Sequence, residues 1–280
     1  MNRRPTFLIT ALCFGFAFLY VPILSMMVYS FNGSRLATVW GGFSVKWYVS
    51  LLSNEKVIDA LILSLKIAFI SASVATILGT MAGIALVRFG KFRGRTLFSG
   101  LVTAPLIMPE VITGISLLIF FILMGHLIGW PSSRGFTTIT LAHITFSMVF
   151  VTTIVSARMQ QADRAIEEAA VDLGSRPWQV LFDITLPVIS PAIWSGWLLA
   201  FTISLDDVVI TSFTTGPGST TLPLLIWSKV KLGVTPDINA LATLMVITVG
   251  VGVFAAGNIM NRAEKRRLQD ARLAFRSNEG

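Results

Sequence analysis

Three carboxylates stand where water is scarce. Glu110, Asp206 and Asp207 fall inside stretches that are otherwise almost wholly apolar. Each costs about 2.5–3.5 kcal/mol at the centre of a membrane helix, so such a residue faces a bundle interior or a water-filled path. At about 1.5 Å of rise per residue, Glu110 lies about 20 Å into its stretch and Asp206 about 24 Å into its own. Acids at that level suit a cation arriving from one side. Each also has a structural account. Asp206 and Asp207 can cap a helix end, Glu110 can pair with Lys66 in a neighbouring stretch, and either kind of acid can be held protonated. Pro105 and Pro109 precede Glu110 and are expected to kink its helix.

Other chemistry is missing. No G-x-x-x-x-G-K-[ST] phosphate cradle occurs, and no H-E-x-x-H. The two histidines, His126 and His143, are 17 positions apart, and Cys13 is the one cysteine. That leaves no set for a His/Cys metal site, a disulfide or a nucleophile–base pair. The sequence therefore reads as having no catalytic residue, no metal and no cofactor. His143 reads as a hydrogen-bonded bundle residue.

The elements that must hold these acids follow from composition. Of 280 residues, 54% are hydrophobic and 13% charged, and the mean hydropathy is +0.76. A soluble domain carries about a quarter charged residues. A solvated globule and a disordered chain are both excluded, and an integral membrane protein remains. A span needs about 20 mostly apolar residues. Six stretches qualify: 7–31, 60–87, 97–124, 137–157, 190–212 and 238–260. The first is too long for a secretory h-region and is read as a retained membrane helix.

The formal charge of +8 has its explanation in topology rather than in nucleic-acid binding. Fifteen Lys and Arg fall in the termini and in the 88–96 and 158–189 connections, against six in the alternate connections. Positive residues collect on the cytoplasmic side, so both termini are expected there. Residues 32–59 would lie outside, with an interfacial helix near Val45–Leu52. The chain divides as 1–59 (first helix and outer segment), 60–262 (a five-helix core) and 263–280 (a basic tail). The Gly-rich runs 79–83 and 250–257 lie in spans, where small residues allow close helix packing.

The 158–189 connection carries the densest pattern. Asp163 suits a helix N-cap and Gly174 a left-handed C′ position, with Pro177 blocking continuation. A second short helix is expected over Trp178–Asp183, before Pro187 and Pro191 restart the chain. The run Glu168-Ala169-Ala170, three residues, Gly174, nine residues, Ile184-x-Leu186-Pro187 resembles the signature loop of permease subunits of bacterial binding-protein-dependent ABC importers. The plainer account is an amphipathic surface helix. The segments Ser204-Leu205-Asp206-Asp207-Val208-Val209 and Ala104 to Gly114 are similar to the polyamine branch of that family.

This resemblance implies an all-α, type I permease fold in a bacterial inner membrane. It implies a heterodimer with a second permease, two separate ATPase subunits seated on the Glu168–Pro187 loop, and a periplasmic polyamine-binding protein. It also implies that Trp47 and Ser204 join Glu110, Asp206 and Asp207 in guiding putrescine or spermidine. Physically, an aromatic face holds an ammonium with about 0.5–2 kcal/mol. Interface anchoring is the alternative for Trp47, Trp130 and Trp227. A different cargo, an ATP-independent cation transporter and a membrane scaffold stay open.

Overall fold

The computed structural model describes residues 6–35, 39–233, 235–252, 254 and 257–258. In chain order its helices are α1 (Thr6–Tyr29), α2 (Lys46–Leu52), α3 (Glu55–Arg88), α4 (Arg95–Ile107), α5 (Glu110–Ile128), α6 (Phe136–Gln161), α7 (Arg164–Asp172), α8 (Pro177–Gln179), α9 (Leu186–Asp206), α10 (Val209–Thr214), α11 (Leu222–Leu232) and α12 (Pro236–Gly252). A π-helical stretch, Val180–Thr185, joins α8 to α9. Among the described residues, β pairing is limited to one isolated bridge from Asn32 to Phe43. Hydrocarbon offers no hydrogen-bond partner to a peptide group, so an apolar chain must satisfy its backbone within each segment.

Among the described residues, five helices are long and apolar enough to cross a membrane: Phe7–Tyr29, Glu55–Arg88, Glu110–Ile128, Phe136–Gln161 and Pro177–Asp206. The sixth expected stretch begins as the shorter apolar α12. Most of 253–260, together with Arg3, Arg4 and the tail 263–280, lies outside the described residues.

Two expectations are corrected. The 97–124 stretch is not one kinked helix but two. Met108 (φ −77°, ψ 137°) and Pro109 (φ −56°, ψ 137°) are extended between α4 and α5. Proline lacks the N–H that would continue the ladder and drives the preceding residue out of the helical region. Glu110 is thus the first residue of α5, and a depth counted along one helix does not apply to it. Nor is there a separate helix over Trp178–Asp183. The chain stays helical from Pro177 to Asp206, and the widened turn before Pro187 absorbs the hydrogen bond proline cannot make.

The chain forms two compact units. One comprises Met1–Asp59 and Leu225–Ala255. In it, α1 has no charged residue and exposes Phe7, Leu12, Phe14 and Phe18. A helix apolar all round belongs in lipid or in a larger assembly. The buried Asn32 knots the segment after α1: its Oδ1 accepts from Ser34 N (3.0 Å) and Gly41 N (2.8 Å), and its Nδ2 donates to Val39 O (2.8 Å).

The other unit comprises Ala60–Leu224 and Ala256–Gly280. The helix at its centre is α6, on which α3 and α9 pack through glycine. A Cβ on Gly79 would lie 2.7 Å from Val151 Cβ, one on Gly83 would lie 3.0 Å from Val155 Cγ1, and one on Gly196 would lie 3.2 Å from Val151 Cγ1. Small residues let the backbones close up, which drives association where the hydrophobic effect does not. Ala72, Val151, Val155, Met159, Ile189 and Ala200 form the resulting core. A second cluster joins Phe121, Ala142, Phe146 and Ile210. Gly250, Gly252 and Gly257 meet nothing within 4 Å.

Because Met148 O also lies 2.9 Å from the Gly79 Cβ position, Gly79→Val cannot be accommodated by a rotamer change alone. It should destabilise the α3–α6 contact by about 1–3 kcal/mol. A thermal melt of the purified chain in detergent should show the lowered midpoint; an unchanged midpoint would disprove the packing.

Candidate functional site

Two polar loci emerge in the larger unit. The first begins where α9 ends. Asp207 is extended (φ −66°, ψ 129°), and its carboxylate takes the free N–H groups that open α10. Ile210 N donates to Oδ1 (3.2 Å) and Thr211 N to Oδ2 (2.7 Å). The Thr211 hydroxyl also donates to Oδ2 (2.7 Å). His143, buried on α6, places Nε2 3.2 Å from the same oxygen and 3.0 Å from Thr211 Oγ1. Its Nδ1 is 2.7 Å from Ser204 Oγ on α9. Ser204 in turn lies 2.9 Å from Ser71 Oγ on α3.

The sense of the bond between His143 and Asp207 follows from the carboxylate. A group that already accepts from an amide and a hydroxyl also accepts from the imidazole, so His143 donates through Nε2. Ser204 Oγ partners both Nδ1 and Ser71, whose hydroxyl also lies 2.7 Å from Ile67 O on its own helix. One chain of hydrogen bonds thereby ties α3, α9, α6 and α10.

Asp206, one residue earlier, is different. It is exposed, and among the described residues no side chain donates to it. Its field includes repulsion from Asp207 and Glu110. Glu110 is also exposed. It reaches this locus because α5 packs on α10, with the Gly114 Cβ position only 2.5 Å from Phe213 Cδ2. Among the described residues, no ion pair joins Glu110 to Lys66. Lys66 lines a shallow apolar recess with Phe69, Trp197 and Phe201 instead. The structure therefore joins Ser204 and Asp207 through His143 in one hydrogen-bonded locus, with Asp206 next in the chain and Glu110 acting on its charge.

Trp47 belongs to the smaller unit, on α2 at Lys46–Leu52, where an interfacial helix was expected. Its Nε1 donates to Asn32 O (2.7 Å), which fixes the ring. Lys46 Nζ sits 4.7 Å from the ring centroid and donates to Gly33 O. The ring accepts an ammonium on its face within its own chain.

The second locus is α7 together with the chain as far as Pro187. Asp163 caps α7, accepting from Ala165 N (2.9 Å). Gly174 has φ +89°, with Gly174 N bonded to Val171 O (2.9 Å) and Ser175 N to Ala170 O (3.0 Å). This is the left-handed ending expected of a glycine at C′. Glu168 and Ala169 are exposed, Ala170 is half-buried, and Glu168 pairs with Arg164 (3.1 Å) on the surface. Leu186 packs on the core, Ile184 is half-buried in the π-helical stretch and Pro187 is exposed. A groove of about 580 Å³ runs between the end of α3 and this loop, lined by Ile84, Phe89, Glu167, Val171, Trp178 and Leu181. Val171 and Trp178 in its wall are exposed, as are Leu173 and Phe182 of the same loop.

Several working residues escaped the sequence. Glu167 Oε2 lies 2.9 Å from Arg88 Nε, and the aligned hydrogen bond runs from Arg88 Nη2 to Oε1 (3.2 Å). Thr185 Oγ1 donates to the same Oε1 (3.0 Å). One carboxylate thus fastens α7 both to the end of α3 and to the π-helical stretch. Only its place beside Glu168 in the motif hinted at this. Ser71 and Thr211 gave no signal, because hydroxyls are common in apolar helices.

Comparison with known proteins agrees with the geometry. Residues 75–269 match the family model described as binding-protein-dependent transport system inner membrane component. The chain is 54% identical over 280 residues to the putrescine transport system permease protein PotI of Escherichia coli K12, covering 99% of this chain and 100% of that one. It is 40% identical over 257 residues to the spermidine/putrescine transport system permease protein PotC of the same strain, covering 92% and 95%. Among solved structures it resembles a bacterial ABC transporter that imports alginate (TM-score 0.75, 18% identity, 92% and 94% covered). It also resembles the MetNI methionine ABC transporter in an inward-facing form (TM-score 0.61, 17% identity, 75% and 98% covered). With the signature loop folded as a capped helix and a model match over most of its length, the chain belongs to the family of binding-protein-dependent transport system inner membrane components.

Proposed function

We propose that this chain is the transmembrane permease subunit of a polyamine ABC importer whose cargo is putrescine. The observation that carries the reading is 54% identity over the whole chain to a putrescine permease. In this reading the subunit crosses the bacterial inner membrane six times, with both termini in the cytoplasm. It pairs with a second homologous permease, receives cargo from a periplasmic polyamine-binding protein, and is driven by two ATPase subunits. Hydrolysis belongs to those subunits, since this chain lacks a phosphate cradle. Residues 1–59 form the first transmembrane helix and outer interfacial segment, 60–262 the five-helix permease core and 263–280 a basic cytoplasmic tail.

The path uses Glu110, Asp206 and Asp207, with Ser204 beside them and Trp47 as an aromatic contact in the outer segment. A dication entering low-dielectric surroundings loses hydration, and carboxylates replace part of it. The attraction must stay modest, or the amine would not leave. Coupling runs through Glu168, Ala169, Ala170 and Gly174 to Ile184, Leu186 and Pro187. The ATPase grips α7, and the Arg88–Glu167–Thr185 contacts hand its displacement to α3 and α9. The bundle then alternates between outward and inward access.

Reconstituted with its partners in proteoliposomes, the importer should take up putrescine only with ATP, and a polyanion should not compete. Uptake without ATP would favour a secondary transporter. Asp206→Asn combined with Asp207→Asn should lower uptake by about tenfold or more, since each unit charge within reach contributes about 1 kcal/mol or more. Unchanged uptake would remove the pair from the path. Gly174→Asp forces a side chain into the left-handed region at a cost of about 1–2 kcal/mol. It should reduce ATPase co-purification and ATP-driven uptake; normal coupling in that variant would overturn the role given to the loop.

A further inference from the structure

The importer reading leaves one buried ionisable group idle, His143. Its neighbour Asp207 is, by contrast, largely occupied. Four donors converge on its carboxylate: Ile210 N on Oδ1, and Thr211 N, Thr211 Oγ1 and His143 Nε2 on Oδ2. A carboxylate has about four acceptor sites, about two on each oxygen, so what remains for a cargo is on Oδ1 alone. Asp206 is exposed and receives no side-chain donor among the described residues, and the exposed Glu110 lies within its electrostatic reach. Two acids adjacent in sequence are therefore in opposite states.

We propose that His143 is a positioning residue for transport: by holding Asp207 inward through Nε2, it leaves Asp206, with Glu110 nearby, as the carboxylate that meets the ammonium of the cargo. This rests on the polyamine reading above. The geometry favours a brace over a ligand, because both ring nitrogens of His143 are engaged, Nδ1 by Ser204 and Nε2 by Asp207 and Thr211. The bonds also cross helices: His143 lies on α6, Ser204 on α9, Ser71 on α3 and Thr211 on α10. Rotating Asp207 toward the path would leave the first N–H groups of α10 without their acceptor and His143 Nε2 with Thr211 Oγ1 alone, which is expensive in a buried site. Asp207 then matters by what it holds in place.

Two polar replacements of His143 separate the bonds. Asparagine puts its amide near the Nδ1 position, keeps Ser204 and falls short of Asp207. Glutamine reaches Asp207. The complete importer in proteoliposomes, supplied with putrescine-loaded binding protein, gives putrescine transported per ATP hydrolysed. His143→Asn and Asp207→Ala should each lower that ratio by about tenfold, and the double variant should be no worse than either, because both break the same His143–Asp207 bond. His143→Gln should stay within about twofold of the unaltered importer. ATP hydrolysis stimulated by the loaded binding protein should hold in all of them, which a general loss of structure would not allow.

The role for His143 is overturned if His143→Asn transports normally, if glutamine is as poor as asparagine, or if the double variant multiplies the two losses. Asp206→Asn separates this failure from that of the underlying reading. If it alone lowers uptake, the acidic path stands and the brace falls. If it too is silent, the path falls with the brace.

Discussion

A polar group inside a membrane protein is costly without a partner within the protein, and that constraint organises much of what is seen here. It makes the described chain almost wholly helical. It also explains why the breaks in the helices are chemically furnished. Where α9 stops at Asp206, the next carboxylate supplies acceptors for the exposed amides of α10. Where Pro187 cannot donate, a π-helical turn widens the ladder ahead of it. The chain from Ser71 through Ser204 and His143 to Asp207 is the fullest case, since each hydroxyl and ring nitrogen in it has a partner on another helix or at a helix end.

The same constraint sets what the sequence could disclose. Apolar stretches, the caps of α7 and the left-handed Gly174 depend on residues close in sequence, and all were legible. So was the presence of Glu110, Asp206 and Asp207 in apolar runs, where an acid needs a partner or water. The partners of those acids were not legible. Ser71 meets Ser204 across 133 positions and His143 meets Thr211 across 68. A serine or threonine in an apolar helix gives no periodic signal, since its hydroxyl can always return to its own backbone, as that of Thr152 does. The split between α4 and α5 was half legible. Two prolines announced a disturbance but not that Met108 and Pro109 would leave the helix altogether.

Glu167 shows how the two loci are joined by covalent and non-covalent links together. Arg88 ends α3, whose middle carries Ser71. Thr185 ends the π-helical stretch, which runs without interruption into the helix carrying Ser204. The carboxylate that joins Arg88 to Thr185 therefore bridges the loop ends of the same two helices that the Ser71–Ser204 bond joins within the bundle. Helices are stiff over such lengths, so the two clasps constrain one another.

The uniform apolar surface of α1 has a consequence for its orientation. A rod with no polar stripe carries no mark of its own azimuth, and any rotation about its axis is equally acceptable to hydrocarbon. The mark has to be supplied at an end. Ser30, directly after α1, is 2.6 Å from the phenol of Tyr48, and Tyr29 meets the edge of Trp40 at 6.1 Å between ring centroids. The Asn32 knot stiffens the same stretch. This small polar fold acts as a rudder: it chooses which flank of an otherwise featureless cylinder points where, and a membrane helix borrows its bearing from chemistry done at its tip.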